Sequence, residues 1–149
     1  MFSVKPNAEH VSATCKLHFA DYMAEDGSTR RVAMKFMKNK DQFITETLHR
    51  RAKQLDSKFV IEMMMSYDAD NSAVYRKEIV SRGYADYPYL VVMEAADRNL
   101  QSILKHERLK EKPELLRGIF ISIVRCVMYL HSKGLIHGDI KRKCEALSC

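Results

Sequence analysis

No two of the four cysteines, Cys15, Cys126, Cys144 and Cys149, stand in a C-x-x-C pair. That absence removes the common zinc and dithiol-redox spacings and suits a reduced compartment. No secretory signal opens the chain, since Met1 to Val11 mixes charged and polar residues without an apolar stretch. The longest greasy segment, Leu115 to Leu130, is interrupted by Arg117 and Arg125 and reads as too short and too charged to span a bilayer. Basic residues never run five or six together; they come in small groups such as Arg30-Arg31, Arg50-Arg51 and Lys141-Arg142-Lys143. The net charge of +6 therefore forms no basic stripe interleaved with stacking aromatics, and no nucleic-acid role is expected. Internal repeats and low-complexity linkers are missing as well. The expectation is an intracellular, cytoplasmic soluble protein with no membrane partner.

What is present is ordinary globular composition. The chain has 149 residues, 46% apolar and 30% charged, enough for one domain with a core. Cys15, Leu17 and Phe19 alternate with polar neighbours, as do Val32, Met34 and Phe36, and Ala24-Glu25-Asp26-Gly27-Ser28 lies between them as a turn signal. A β-hairpin over 15–37 is predicted. Period two then places Ala33, Lys35 and Met37 together on the other face of its second strand. A lysine between apolar residues can be a solvated edge position with a snorkelling stem.

Ile44, Leu48, Ala52 and Leu55 recur at helical spacing, with Asp41 able to cap, which predicts a helix over 41–56. Glu46 is its only glutamate, and on its own could be a surface partner of Arg50 one turn later. A strand is expected over 59–65, a polar stretch over 67–71, and a loop over 74–87. Tyr89 to Met93 is a short apolar strand after Pro88. Helical character returns over 99–108, and Pro113 opens a long helix with Leu116, Phe120, Ile123, Val127 and Leu130 on a wide stripe, stopped at Gly134. The fold class read from this order is α+β.

Four stretches together resemble the eukaryotic protein kinases of serine/threonine type. These are Val32-Ala33-Met34-Lys35, Phe43-Ile44-Thr45-Glu46, Tyr89-Leu90-Val91-Val92-Met93-Glu94, and Tyr129 through His137-Gly138-Asp139-Ile140-Lys141. The resemblance covers residues 15 to 141. It implies a kinase-like fold, with about 1–94 as a small N-terminal lobe of antiparallel sheet plus one helix. Residues 95–149 would form the hinge and an incomplete helical C-terminal lobe.

By the resemblance, Lys35 would hold the α/β-phosphates of ATP and Glu46 would pair with it. Ala33 would pack on the adenine, Met93 would line the back of its pocket, and backbone groups of Glu94 to Ala96 would bond its edge. Asp139 would accept or orient the proton of a protein Ser/Thr hydroxyl, and Lys141 would neutralise the transferred phosphoryl.

The departures from the family are also specific. Gly138 replaces the usual arginine, residues 1–15 hold no glycine for a phosphate-covering loop, and Cys144 replaces a metal-binding asparagine. A thiol is a poor ligand for Mg²⁺, the cation the family uses with ATP, and no Asp-Phe-Gly follows, so no metal ligand is assigned. The match is expected to be the first part of a kinase domain, a truncated product inactive as written. The alternative expectation is a catalytically dead module that binds nucleotide or a protein partner.

Overall fold

A computed structural model of the chain describes residues 2–96, 99–106, 111–137 and 140. It is α+β: a six-stranded antiparallel sheet with four helices among the described residues. The chain separates into two units, Met1–Gln54 with Glu62–Ala95, and Leu55–Ile61 with Ala96–Cys149.

The first unit is built on the hairpin of β3 (Cys15–Met23) and β4 (Thr29–Met37). Its turn is closed by the Ala24 N–H on the Ser28 carbonyl at 2.9 Å and by Asp26, which accepts from both the Ser28 N–H and hydroxyl. Gly27 takes φ +80° there, a conformation that glycine enters without a Cβ clash. Two short strands for which the sequence carried no expectation, β1 (Phe2–Val4) and β2 (His10–Val11), both pair with β3. On the other side β4 pairs with β6 (Tyr89–Glu94), and β5 (Met63–Asp68) lies outside β6, giving the order β1-β3-β4-β6-β5.

Alternation along β4 then divides the unit into two layers. Val32, Met34 and Phe36 enter a core with Ala20, Tyr87, Leu90 and Val92. Ala33, Lys35 and Met37 face the other way, opposite Met93, Val91 and Tyr89 of β6. Val91 and Val92 are both fully buried, so the strand is covered on both faces, which is why it reads as a continuous apolar run.

The helix α1 (Lys40–Ala52) covers the second face. Its cap is Asn39, whose Oδ1 accepts from the Gln42 N–H at 3.0 Å; Asp41 sits in the first turn instead. The helix stops short of the expected Asp56, and Gln54 follows at φ +44°.

Two other expectations are corrected. The segment expected as a loop contains α2 (Ala73–Ser81), nucleated by Ser72 accepting from the Tyr75 N–H at 3.2 Å and anchored by buried Ile79 and the Tyr75 ring stacked on Tyr67. The strand expected from Phe59 begins at Met63, because Phe59 and Val60 turn back with their N–H groups on the Asp56 carbonyl.

In the second unit, α3 (Leu100–His106) starts at Asn99, whose Oδ1 accepts from the Ser102 N–H at 2.8 Å. The long helix α4 (Pro113–Ser132) ends, as its sequence indicates, with Gly134 at φ +70° and the Leu135 N–H bonded back to the Leu130 carbonyl. Tyr129 of α4 stacks on Phe59 with ring centroids 4.7 Å apart, and its hydroxyl accepts from the Asp56 N–H at 2.7 Å. Cys126 is the buried residue of α4, while Phe120 and Met128 are 66% and 65% exposed. The expectation that this segment is too short and too charged to span is not upheld on its dimensions. Among the described residues α4 is the one helix long and apolar enough to cross a membrane by length and composition, and most of it is exposed.

Candidate functional site

Lys35 does not sit at an edge. Strand β4 is paired on both sides, with Lys35 opposite Leu17 of β3 and Val91 of β6. Its stem therefore crosses a packed surface, and the ammonium meets the carboxylate of Glu46 at 2.6 Å. Both side chains are partly buried, 28% and 20% exposed, so the pair is less screened than an open surface pair.

Several contacts aim Glu46 at the sheet. Phe43, three residues earlier and on the same side of α1, is buried and stacks on Tyr89 at 5.2 Å. Thr47 is buried and its hydroxyl donates to the Phe43 carbonyl at 2.8 Å. At the helix start, Lys40 donates to Asp70 Oδ2 at 2.9 Å, and the Tyr89 hydroxyl donates to the same oxygen at 3.0 Å.

The Lys40 hydrogen bond, reinforced by Tyr89, holds the Asp70 carboxyl below its ordinary range, and burial followed by the bond to Asp70 pushes the Tyr89 phenol up. Sequence reading missed Lys40, Asp70 and Tyr89 as supports of Glu46. The turn-forming run Asp68-Ala69-Asp70-Asn71-Ser72 was the available signal. A hollow of about 310 Å³ lies between α1 and β5, lined by Phe43, Thr47, Arg51 and Ser66 among others, and Lys35 is not on its wall.

Ala33 and Met93 stand opposite each other in the β4–β6 register, both nearly buried, the small side chain against the large one. Glu94 is exposed at the end of β6. Its N–H donates to the Glu62 carbonyl at 3.1 Å, and the Ala95 N–H donates to the Arg31 carbonyl at 3.2 Å. Of the backbone groups expected to meet a ligand from Glu94 to Ala96, these two N–H groups are already engaged within the first unit. Ala96 belongs to the second unit.

Three residues, Ser12 to Thr14, join β2 to β3, and the Ser12 N–H on the Cys15 carbonyl closes a tight hairpin beyond the last β2–β3 pair, Val11 and Lys16. Gly138, Asp139, Lys141 and Cys144 lie outside the described residues.

The structure thus brings together Lys35 with Glu46, and Ala33 with Met93. Chemically, Lys35 is a cation fixed by a carboxylate between a central strand and a braced helix, an arrangement suited to meeting a negatively charged ligand at a defined point. The described residues contain no group of three His, Cys, Asp or Glu side chains able to hold a metal ion. No protein-family model matches the sequence, and no curated protein matches it.

Proposed function

We propose that the chain carries the nucleotide-binding part of a kinase-like domain of the serine/threonine type, acting inside the cell on a protein substrate or partner. The observation that carries this reading is the Lys35–Glu46 pair at 2.6 Å, between the second strand of the β3–β4 hairpin and the helix that follows it. A strand lysine paired with a helix glutamate is the arrangement on which protein kinases depend to position ATP phosphates.

The adjacent residues suit a nucleotide. By the resemblance Ala33, on the face that carries Lys35, would pack on a flat base, and Met93 opposite it would line the back of that site. Asp139 would then act as the base towards the substrate hydroxyl, with Lys141 as its electrostatic partner. No step is assigned to Mg²⁺, because Cys144 is a soft thiol at the position where the family has an oxygen ligand. The glycine-free turn at Ser12–Cys15 favours the second reading, a nucleotide- or partner-binding module that transfers no phosphoryl group.

Thermal unfolding of the full chain with ATP tests the proposal. ATP at a hundredfold excess over its Kd stabilises by about 2.7 kcal/mol, hence a rise of roughly 5–10 °C in Tm for a chain of this size. The rise is expected to fall in Lys35→Met to that given by adenosine, and to shrink in Glu46→Gln. A wild-type Tm that ignores ATP refutes nucleotide binding. Assay of γ-phosphate transfer against Asp139→Asn separates the two readings, because only the enzyme loses rate on substitution.

A further inference from the structure

At the hairpin tip, Ser12–Cys15, backbone donors are taken up within the tip itself. The Ser12 N–H donates to the Cys15 carbonyl at 2.9 Å. The Cys15 N–H turns to the Ser12 hydroxyl at 3.1 Å, and the Thr14 N–H points at the same oxygen at 3.4 Å. That hydroxyl lies 3.3 Å from both the Cys15 carbonyl and the Cys15 Sγ. Backbone N–H groups of a turn converging on one point are how a chain receives an anionic oxygen. Here the oxygen at the focus belongs to the chain itself.

The tip is also well placed and open. Ala13 and Thr14 are exposed, and Cys15 lies two residues along β3 from Leu17, the residue opposite Lys35, which is roughly 7 Å of strand.

We infer that Ser12 sets ligand selectivity by occupying, with its own hydroxyl, the Thr14 and Cys15 donors that would otherwise receive a phosphate oxygen. Among the described residues of the first unit, recognition of the phosphate chain then falls to Lys35. The inference rests on the nucleotide reading above. It assigns the protein a ligand class defined by the base and sugar plus one cation contact, rather than by a cradle of backbone N–H groups. Replacing Ser12 by alanine removes the internal oxygen and retains the Ser12 N–H bond to Cys15, so the turn persists with its donors exposed.

Calorimetric Kd values for adenosine and ATP, without divalent cation, test this on the full chain as wild type, Lys35→Met, Ser12→Ala and the double variant. Ser12→Gly serves as a second opening of the tip, and far-UV circular dichroism checks the fold of each. Lys35→Met is expected to erase the preference for ATP over adenosine altogether. Ser12→Ala is expected to tighten ATP by about fivefold, the worth of a recovered hydrogen bond, with adenosine unchanged. In the double variant a preference for ATP returns. A Lys35→Met protein that still prefers ATP by about tenfold overturns the inference, as does a Ser12→Ala protein with unaltered ATP affinity. Those results leave nucleotide binding intact. Failure of wild type to bind either ligand removes the nucleotide reading and this inference together.

Discussion

Tyr84→Phe removes one oxygen atom and is expected to cost far more than a surface substitution. His18 on β3 is 2% exposed. Its Nδ1 lies 3.1 Å from the Lys5 carbonyl, and its Nε2 lies 2.7 Å from the Tyr84 hydroxyl. A carbonyl can only accept, so Nδ1 carries a proton, and in the neutral ring Nε2 then accepts from the Tyr84 hydroxyl. Burial, and then neighbouring Tyr87, push the Tyr84 phenol up, so this donor stays protonated well above neutral pH.

In Tyr84→Phe the stack on Phe36 at 4.4 Å and the edge contact with His18 at 5.6 Å both survive. What changes is that a buried ring nitrogen loses the Tyr84 donor, its one partner among the described residues, at a cost of about 1–3 kcal/mol. For a chain of this length that lowers Tm by roughly 2–12 °C.

Urea unfolding followed by far-UV circular dichroism measures the loss, with His18→Leu and the double variant completing a cycle. Once His18 is gone, Tyr84→Phe has no acceptor left to orphan, so a coupling of at least about 1 kcal/mol is expected. An unchanged midpoint in Tyr84→Phe, or additive single effects, would sink the assignment of tautomer and donor.

Three further outcomes are expected. Ser72→Ala removes the cap of α2 and should destabilise by about 1 kcal/mol, with amide exchange rising first over residues 73–81; exchange that rises evenly along the chain would contradict a local cap. Burial raises the phenols of Tyr75, Tyr84 and Tyr89 above the ordinary 10.0, helped respectively by Tyr67, Tyr87 and the bond to Asp70. The folded chain therefore keeps protons that the unfolded chain sheds, and stability should be full below pH 10 and fall as pH rises through the folded values. Ultraviolet titration should resolve late-ionising phenols among the seven tyrosines, and one step near 10 would refute it. In the second unit Tyr129→Phe should cost under about 0.5 kcal/mol, since the Asp56 N–H it bonds is exposed, whereas Phe59→Ala should cost about 1–2 kcal/mol through the lost stack. The reverse ranking, by chemical denaturation, would show that the hydroxyl and not the ring holds Leu55–Ile61 to α4.

The parts of the fold that were readable are those whose determinants are local. The β3–β4 hairpin announces itself by alternation on either side of a turn containing Gly27, and α4 by Pro113, its apolar period and Gly134. The helix α2 was not readable because its apolar residues do not form a stripe: Val74 and Val80 are 84% and 55% exposed, and only Ile79 is buried. It is held by one cap and by the Tyr75 ring against Tyr67, a partner on strand β5. Phe59 looked like the start of β5 for a related reason. Its ring satisfies itself on Tyr129, seventy positions away, and no local pattern encodes that.

Lys35 and Glu46 show where sequence and structure each contribute. Alternation placed the lysine on the face away from the Val32–Met34–Phe36 core, and helical spacing gave its helix a single glutamate. Neither could say whether the lysine stood at a solvated edge, because that depends on β6, which joins β4 from more than fifty residues later in the chain. Once β6 is in place, the edge explanation is gone: the strand is paired on both sides, and Val91 opposite Lys35 is fully buried. An ammonium leaving such a surface needs a partner at the rim, and α1 supplies one carboxylate there. The same pairing that denies Lys35 free solvent also fixes where its charge can be used. That is why the function proposed for this chain is built on Lys35, and why its substitution should remove the extra stabilisation ATP gives over adenosine while leaving the central strand paired.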